Sequence, residues 1–318
     1  MKKPLISFIV TYHNEPLLLL RECIDSILKL NLNDEEREIV LVDDGSDICP
    51  LNELTDFRDK TVYIRQKNQG VSEARNKGLL VCLGTYVQFV DADDTLITAG
   101  YELCLKKIRE CQPDIVVFNT TDQDTEVDTP DLFDGPVTGA EYMRHNNLRA
   151  SACGYVFSRK ILIDLRFTAG IEYGEDEKFT PQLILRAEQL YYTPTPAYFY
   201  RDNPNSVSNR KSAEAITKRL DDTEHVIFYL DHLSAVLPQN ERTALERRVA
   251  QLSMDYIYNI IRLTHSSQTL EERIERLHKR GLFPLPDRDY TTKYRLFVRL
   301  TRYATGRKLL MAILKMKH

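Results

Sequence analysis

Between Leu5 and Tyr200 the chain alternates short apolar runs with stretches of helical period. Leu5–Tyr12 reads as a buried strand that ends in His13-Asn14-Glu15-Pro16. Pro16 suits the first position of a helix, and Leu20, Cys23, Ile24, Ile27 and Leu28 then fall on one helical face. Glu38–Val42 is a second strand, ending in Asp43-Asp44-Gly45-Ser46. Thr61–Ile64 is a third, running out at Lys67-Asn68-Gln69-Gly70 before a helix that holds Ala74-Arg75-Asn76-Lys77-Gly78. Tyr86–Val90 is a fourth, broken by Asp91-Ala92-Asp93-Asp94. A helix with Tyr101, Cys104, Leu105, Ile108 and Cys111 on one face leads to a strand over Asp114–Phe118. Strands alternating with helices predict a mostly parallel, Rossmann-like α/β sheet with right-handed crossovers.

Further on the signals are local. Thr120–Asp134 is acidic, lacks any period and reads as a surface loop. Thr138 and Glu141 have the spacing of a capping box. Ala152–Phe157 reads as a strand, Glu175–Ala187 as a helix opened by Gly174, and Tyr191–Tyr200 as an aromatic strand. After Ser212 the pattern is helical: one helix through Ile216, Leu220, Ile227 and Leu230, and a second through Leu245, Val249, Leu252, Tyr256 and Ile260. A third is expected to start at Thr269, with Glu272 completing its capping box, and to stop at Gly281. The expected division is a catalytic domain over residues 1–211, a helical region over 212–289 and a basic amphipathic tail over 290–318.

Composition narrows the class. A net charge of −4 over 318 residues gives no global reason to expect a nucleic-acid partner. The six cysteines include no Cys-x-x-Cys pair, which suits reduced thiols in a cytoplasmic protein. Met1-Lys2-Lys3 leads straight into a strand without a leader pattern. The seven histidines have no metal-ligand spacing. The average hides an asymmetry: Tyr290–His318 holds eight Lys or Arg and no acid, around the run Leu309–Leu314. Such a segment is expected either to lie on an anionic membrane surface, making the protein peripheral, or to pack on the chain's own helices.

The chemistry lies at the strand ends. In a parallel sheet His13-Asn14-Glu15, Asp43-Asp44, Asn68-Gln69-Gly70 and Asp91-x-Asp93 all reach one edge, where open α/β sheets bind ligands. Asp91, Asp93 and Asp94 repel one another unless a divalent cation, a hydrogen-bonding sugar or both offset them. A solvated turn with an Asp capping the next helix is the plain alternative. Neither Gly-x-Gly-x-x-Gly nor a Walker loop is present. A diphosphate would therefore be neutralised by Mg²⁺ or Mn²⁺ at the Asp-x-Asp, with Arg75 as a charge-assisted donor. The cluster Glu175-Asp176-Glu177 either supplies a catalytic base or complements a helix N-terminus, as Glu15 does in the plain reading of its own position.

In this order the motifs Thr11-x-His13-Asn14-Glu15, Val42-Asp43-Asp44-Gly45-Ser46, Asn68-x-Gly70-x-x-x-Ala74-Arg75-Asn76-x-Gly78, Asp91-Ala92-Asp93-Asp94 and Gly174-Glu175-Asp176-x-x-Phe179 resemble those of the family-2 glycosyltransferases, which have the GT-A nucleotide-diphospho-sugar transferase fold. The resemblance covers residues 5–210. It implies that Thr11 and Asp44 contact a uracil-type base and that Asp91 binds ribose. It further implies that Asp93 binds the metal and that Asp176, with Glu175 beside it, is the base. His13 departs from the family's usual tyrosine, which stacks on the base. Glu15, Asn68, Gly70, Arg75 and Ala92 complete the expected donor side. Arg201 opens a segment, through Ser206 and Ser208, resembling a loop that closes on the diphosphate.

The expected activity is inverting, metal-dependent sugar transfer from a nucleotide-diphosphate donor, such as a UDP-sugar, to an acceptor hydroxyl. The setting would be cell-surface polysaccharide synthesis on a glycan or lipid-linked acceptor. The alternatives are a nucleotidyltransferase, which would want a basic Gly-rich loop where His13-Asn14-Glu15 stands, and a sugar-nucleotide-binding scaffold without turnover.

Overall fold

The computed structural model describes residues 3–123, 130–203, 209–286 and 292–315. Two compact units divide the chain: Met1–Ile171 with Glu175–Pro204, and Glu172–Gly174 with Asn205–His318.

The first unit runs β1 (Ile6–Tyr12), α1 (Leu17–Leu28), β2 (Arg37–Asp43), β3 (Val62–Arg65), α2 (Val71–Val81), β4 (Tyr86–Asp91), β5 (Thr95–Leu96), α3 (Thr98–Cys111), β6 (Ile115–Thr121), β7 (Asp134–Val137), α4 (Gly139–His145), β8 (Tyr155–Ser158), α5 (Glu175–Leu185) and β9 (Leu190–Phe199). Its sheet has the order β3-β2-β1-β4-β8-β6-β9-β5, with β7 paired to β9. β1 is buried at every position and lies parallel to β2 and β4, so it reads as a continuous apolar run. α1 covers the sheet with Leu20, Cys23, Ile24 and Ile27. Pro16 stands at its cap rather than at its first helical position. α2 approaches β1 closely because residue 78 is glycine: a Cβ there would lie 2.3 Å from Ile9 Cγ2.

The parallel part of the sheet is β3-β2-β1-β4. Beyond it the sheet is mixed, because β8 enters antiparallel to both β4 and β6. The strand expected over Ala152–Phe157 starts only at Tyr155, since the Gly154 N–H turns back to the Ser151 carbonyl. Thr138 caps α4 by accepting from the Glu141 N–H at 3.2 Å. Of the expected loop over Thr120–Asp134, residues 124–129 lie outside the described residues, and β6 takes its first two positions.

The second unit is helical: α6 (Ala213–Val236), α7 (Gln239–Thr264), α8 (Ser267–Lys279), α9 (Thr292–Thr301) and α10 (Ala304–Lys315). α6 buries Leu220, Val226, Ile227 and Leu230, and α7 buries Leu245, Val249, Leu252, Tyr256 and Ile260. Buried Arg273 of α8 ties these helices together through Asp221 (2.7 Å), the Tyr256 hydroxyl (2.9 Å) and Glu224 (3.5 Å). The expected start of α8 at Thr269 is corrected to Ser266, whose hydroxyl accepts from the Thr269 N–H at 3.2 Å. Thr269 is the third residue inside the helix, and Glu272 accepts from Gln268 instead of closing a capping box. All six cysteines are free thiols. Among the described residues no helix is long and apolar enough to cross a membrane.

Candidate active site

The register of β1, β2 and β4 brings Thr11, Val42 and Asp91 level, so the polar segments that follow emerge together at one sheet edge. The turn after β1 is pinned to the turn after β2. The Asn14 N–H donates to the Ser46 hydroxyl (3.1 Å), and Asn14 Oδ1 accepts from the Asp47 N–H (2.9 Å). Asn14 takes φ +62°, which asparagine tolerates. Gly45 takes φ +76°, and a Cβ there would meet the Asn68 backbone nitrogen at 2.6 Å. His13 reaches across to Asn68, its Nε2 lying 3.1 Å from the amide Nδ2.

Asp44 and its neighbour Asp43 are buried. Asp43 accepts from the Ser46 N–H (2.8 Å) and the Tyr63 hydroxyl (2.7 Å). Asp44 is 4% exposed. It accepts from the Gln66 amide (2.8 Å) and from the backbone N–H groups of Gln69 (2.9 Å) and Gly70 (2.7 Å). Three of its roughly four acceptor sites are thus occupied by the turn after β3.

The Asp91–Asp94 segment divides into inward and outward residues. Ala92 and Asp94 are each 1% exposed, so Asp94 turns into the protein instead of joining Asp91 and Asp93 at the crevice. Asp94 accepts from the Tyr198 hydroxyl (2.7 Å) and the Arg201 N–H (2.8 Å). Burial, with Asp91 close by, pushes it up to about 8. Tyr198 also accepts from the Asp91 N–H at 3.1 Å, so β9 braces the whole segment. Asp93 is half-buried, accepts from the Asn203 amide at 2.9 Å and forms no ion pair among the described residues. Burial raises its pKa, and Asp91 adds to the effect. Burial likewise raises Glu15, whose carboxylate accepts from the His13 N–H and feels Asp93 and Asp91. Arg201 donates through Nε to the Asp93 carbonyl (3.0 Å) and pairs through Nη2 with Glu22 (2.7 Å). Of the segment it was expected to open, residues 204–208 lie outside the described residues.

The centre of the edge is Arg75, projected from α2. Its Nη1 lies 2.6 Å from Asp176 and 3.3 Å from Glu175, and its Nη2 lies 3.1 Å from Asp91. The guanidinium stands 5.2 Å from the Phe167 ring centroid, and Phe167 stacks on Phe179 of α5 at 3.9 Å. At 3% exposed, with its Nη groups on carboxylates, Arg75 is not open to a diphosphate as expected. It gathers acids from β4 and α5 instead.

Three negative groups around one cation cannot all ionise freely. Burial and Asp176 outweigh Arg75 and push Glu175 up to about 8. Burial also raises Asp176, against the pull of Arg75 and the Ala152 N–H, which donates to Oδ2 at 2.9 Å. Glu175 is thus the acid pushed furthest toward its protonated form, while the guanidinium and the Ala152 N–H favour the charged form of Asp176. Asp176 is a buried, oriented carboxylate with raised basicity, the property wanted of a general base.

The residues that the sequence alone did not single out are Tyr198 and Asn203. Each acts through a partner far away in sequence, and no local pattern marks it. Among the described residues no group of three or more His, Cys, Asp or Glu is arranged to hold a metal ion. Asp93, with one side chain to offer, suits a cation that takes one or two carboxylates and fills its remaining positions with phosphate oxygens or water.

The family model described as Glycosyl transferase family 2 matches residues 7–164. The uncharacterized glycosyltransferase EpsJ of Bacillus subtilis is 31% identical over 233 residues, 68% of this chain and 67% of that protein. The glycosyltransferase GlyA of Streptococcus pneumoniae is 29% identical over 258 residues, 74% of this chain but 36% of GlyA. Among solved structures, S. aureus TarS 1-349 in complex with UDP-GlcNAc matches with a TM-score of 0.68 at 18% identity. That match covers 98% of this chain and 92% of TarS 1-349, and it bears on the fold alone.

Proposed function

The chain belongs to glycosyltransferase family 2, and from that premise we propose that it transfers a sugar from a UDP-type donor to an acceptor hydroxyl with inversion, in cell-surface polysaccharide or glycan synthesis. The observation that carries the proposal is the Arg75 centre, which holds Asp91 of the donor-side strand end within one guanidinium of Asp176. A uridine nucleotide as donor is in keeping with the UDP-GlcNAc held by the similarly folded TarS, and in this reading the acceptor is a glycan or a lipid-linked glycan.

In this reading Thr11, His13, Asp44, Asn68 and Gly70 form the nucleotide side, and Asp91 takes the ribose. Asp93 would hold Mn²⁺ or Mg²⁺, which when bound stabilises negative charge on the departing diphosphate. Asp176 has Oδ1 on Arg75 and Oδ2 on the Ala152 N–H. Its remaining lone pairs accept the proton of the attacking hydroxyl, the C–O bond to the leaving diphosphate breaks, and one displacement inverts the anomeric carbon. Glu175, pushed toward its protonated form, keeps a second charge from competing with that base. Arg75 is a positioning residue: it fixes the base and the donor-side carboxylate in one frame.

The test is turnover of UDP-sugars by Asp176→Asn, which keeps size and loses basicity. Donor binding by calorimetry should stay near that of the parent, and turnover should fall by roughly 10²-fold or more. Undiminished turnover would move the base elsewhere, with Glu175 the next candidate.

A further inference from the structure

The α9–α10 hairpin is anchored on its inner side. Phe297 meets Tyr258 of α7 edge-on at 6.2 Å, and Val298 and Leu310 are buried. Arg307 pairs with Glu271 of α8 (Nε, 2.8 Å) and donates to the Thr301 carbonyl (2.8 Å). The hairpin is thus a docked element of the helical unit.

Its outer side carries large apolar side chains in the open. Tyr294, Leu296, Tyr303, Leu309 and Ile313 are exposed by 39, 59, 68, 50 and 43%. Single exposed apolar residues are ordinary on any protein, whereas a contiguous group marks an interaction site. Tyr294, Leu296 and Ile313 also line an open groove of about 480 Å³, walled by Met254 and Tyr258 of α7 and by Leu314. Face and groove thus share Tyr294, Leu296 and Ile313. Arg295, Arg299, Arg302 and Lys308 are exposed on the same hairpin, and no acid occurs from Tyr290 onward. The acid of the groove lining, Asp255, belongs to α7.

Exposed aliphatic side chains, with tyrosines and four exposed cations on the same hairpin and no acid on it, match one partner chemistry: the headgroup and upper acyl layer of an anionic bilayer. A protein partner would need a matching acidic patch, and a second copy of this chain would bring the same cations against itself. We propose that the hairpin docks this protein on an anionic phospholipid leaflet. Leu296, Leu309 and Ile313 enter the acyl layer, while Arg295, Arg299, Arg302 and Lys308 meet the headgroup phosphates. The inference stands apart from the transfer reaction, because binding is read without donor or acceptor.

The test is co-sedimentation of the full chain with vesicles of phosphatidylcholine alone and of phosphatidylcholine mixed with phosphatidylglycerol. Recovery should require phosphatidylglycerol and fall as salt rises. The doubly substituted Leu309→Asp/Ile313→Asp chain changes only exposed positions and should lose roughly tenfold or more in partitioning. Arg295→Gln/Arg299→Gln should do the same through charge. Equal recovery of parent and variants would overturn the proposal. So would a parent that self-associates in sedimentation equilibrium, loses that association in Leu309→Asp/Ile313→Asp and ignores vesicles, since a second copy would then cover the face.

Discussion

Replacing Arg75 by methionine keeps most of the side chain's volume and removes the charge that Asp91, Glu175 and Asp176 share. Removing one partner of a buried ion cluster costs about 3–5 kcal/mol. Asp91 is 33% exposed on its side chain and is screened by water, so its share is small, while Glu175 and Asp176 are 15 and 19% exposed. The lower end, about 3 kcal/mol at pH 8, is the expected loss. The loss should also depend on pH. Both α5 acids have folded values raised above their unfolded ones, Glu175 to about 8. Ionising them disfavours the fold, so stability is lost as pH rises from the ordinary carboxylate range toward about 8. Without Arg75 the same window carries a larger loss, and at pH 5, where Glu175 is protonated, the penalty should shrink to roughly half or less. Hydrogen exchange of the β4 amides reads this unit directly. It should be followed at pH 5, 6.5 and 8 in the parent, Arg75→Met and Arg75→Lys. Lysine restores a point charge but not the fork that spans three acids, so it should rescue in part. A loss that is the same at all three pH values, or one below about 1 kcal/mol at pH 8, would refute the assignment of Arg75 as the ion that holds the acids together.

Two shorter predictions follow from other contacts. Asp93→Ala should bind UDP equally with Mn²⁺ and with EDTA, while the parent binds more tightly with metal; a parent that binds UDP equally well in EDTA would remove the metal from the reading. Gly78→Ala puts a Cβ 2.3 Å from Ile9 Cγ2, and should lower stability in urea by about 1–3 kcal/mol despite alanine's better helix propensity. Most of that loss should vanish in an Ile9→Ala background, and additive losses would show that α2 does not press on Ile9.

What was legible in the sequence was local or periodic. The β1, β2 and β4 edge could be read because each strand is an apolar run ending in polar residues, and Leu20, Cys23, Ile24 and Ile27 recur at helical spacing. Sheet direction past β4 was not legible, since nothing in Tyr155–Ser158 tells a strand which neighbour it will join or which way it will run. Asp94 and Asp93 are indistinguishable as letters, and nothing around Tyr198 in its aromatic strand hints that it draws Asp94 inward. Arg75 meets Glu175 and Asp176 across a separation of 100 and 101 residues, so its partners were invisible to any window. At the start of α8 two competing caps stood three residues apart, and Ser266 prevailed over Thr269 because its hydroxyl is the one that meets an unpaired N–H of the first turn.

The turn after β3 carries a consequence for the timing of recognition. Residues 66–70 lie under one carboxylate, Asp44, which accepts hydrogen bonds from three of them. Ordering a backbone residue costs on the order of 1–2 kcal/mol in conformational entropy. Here that cost falls on folding, before any nucleotide arrives. If a base docks against His13 and Asn68 as proposed, it meets a finished template, and its affinity is not diminished by having to build the loop that receives it.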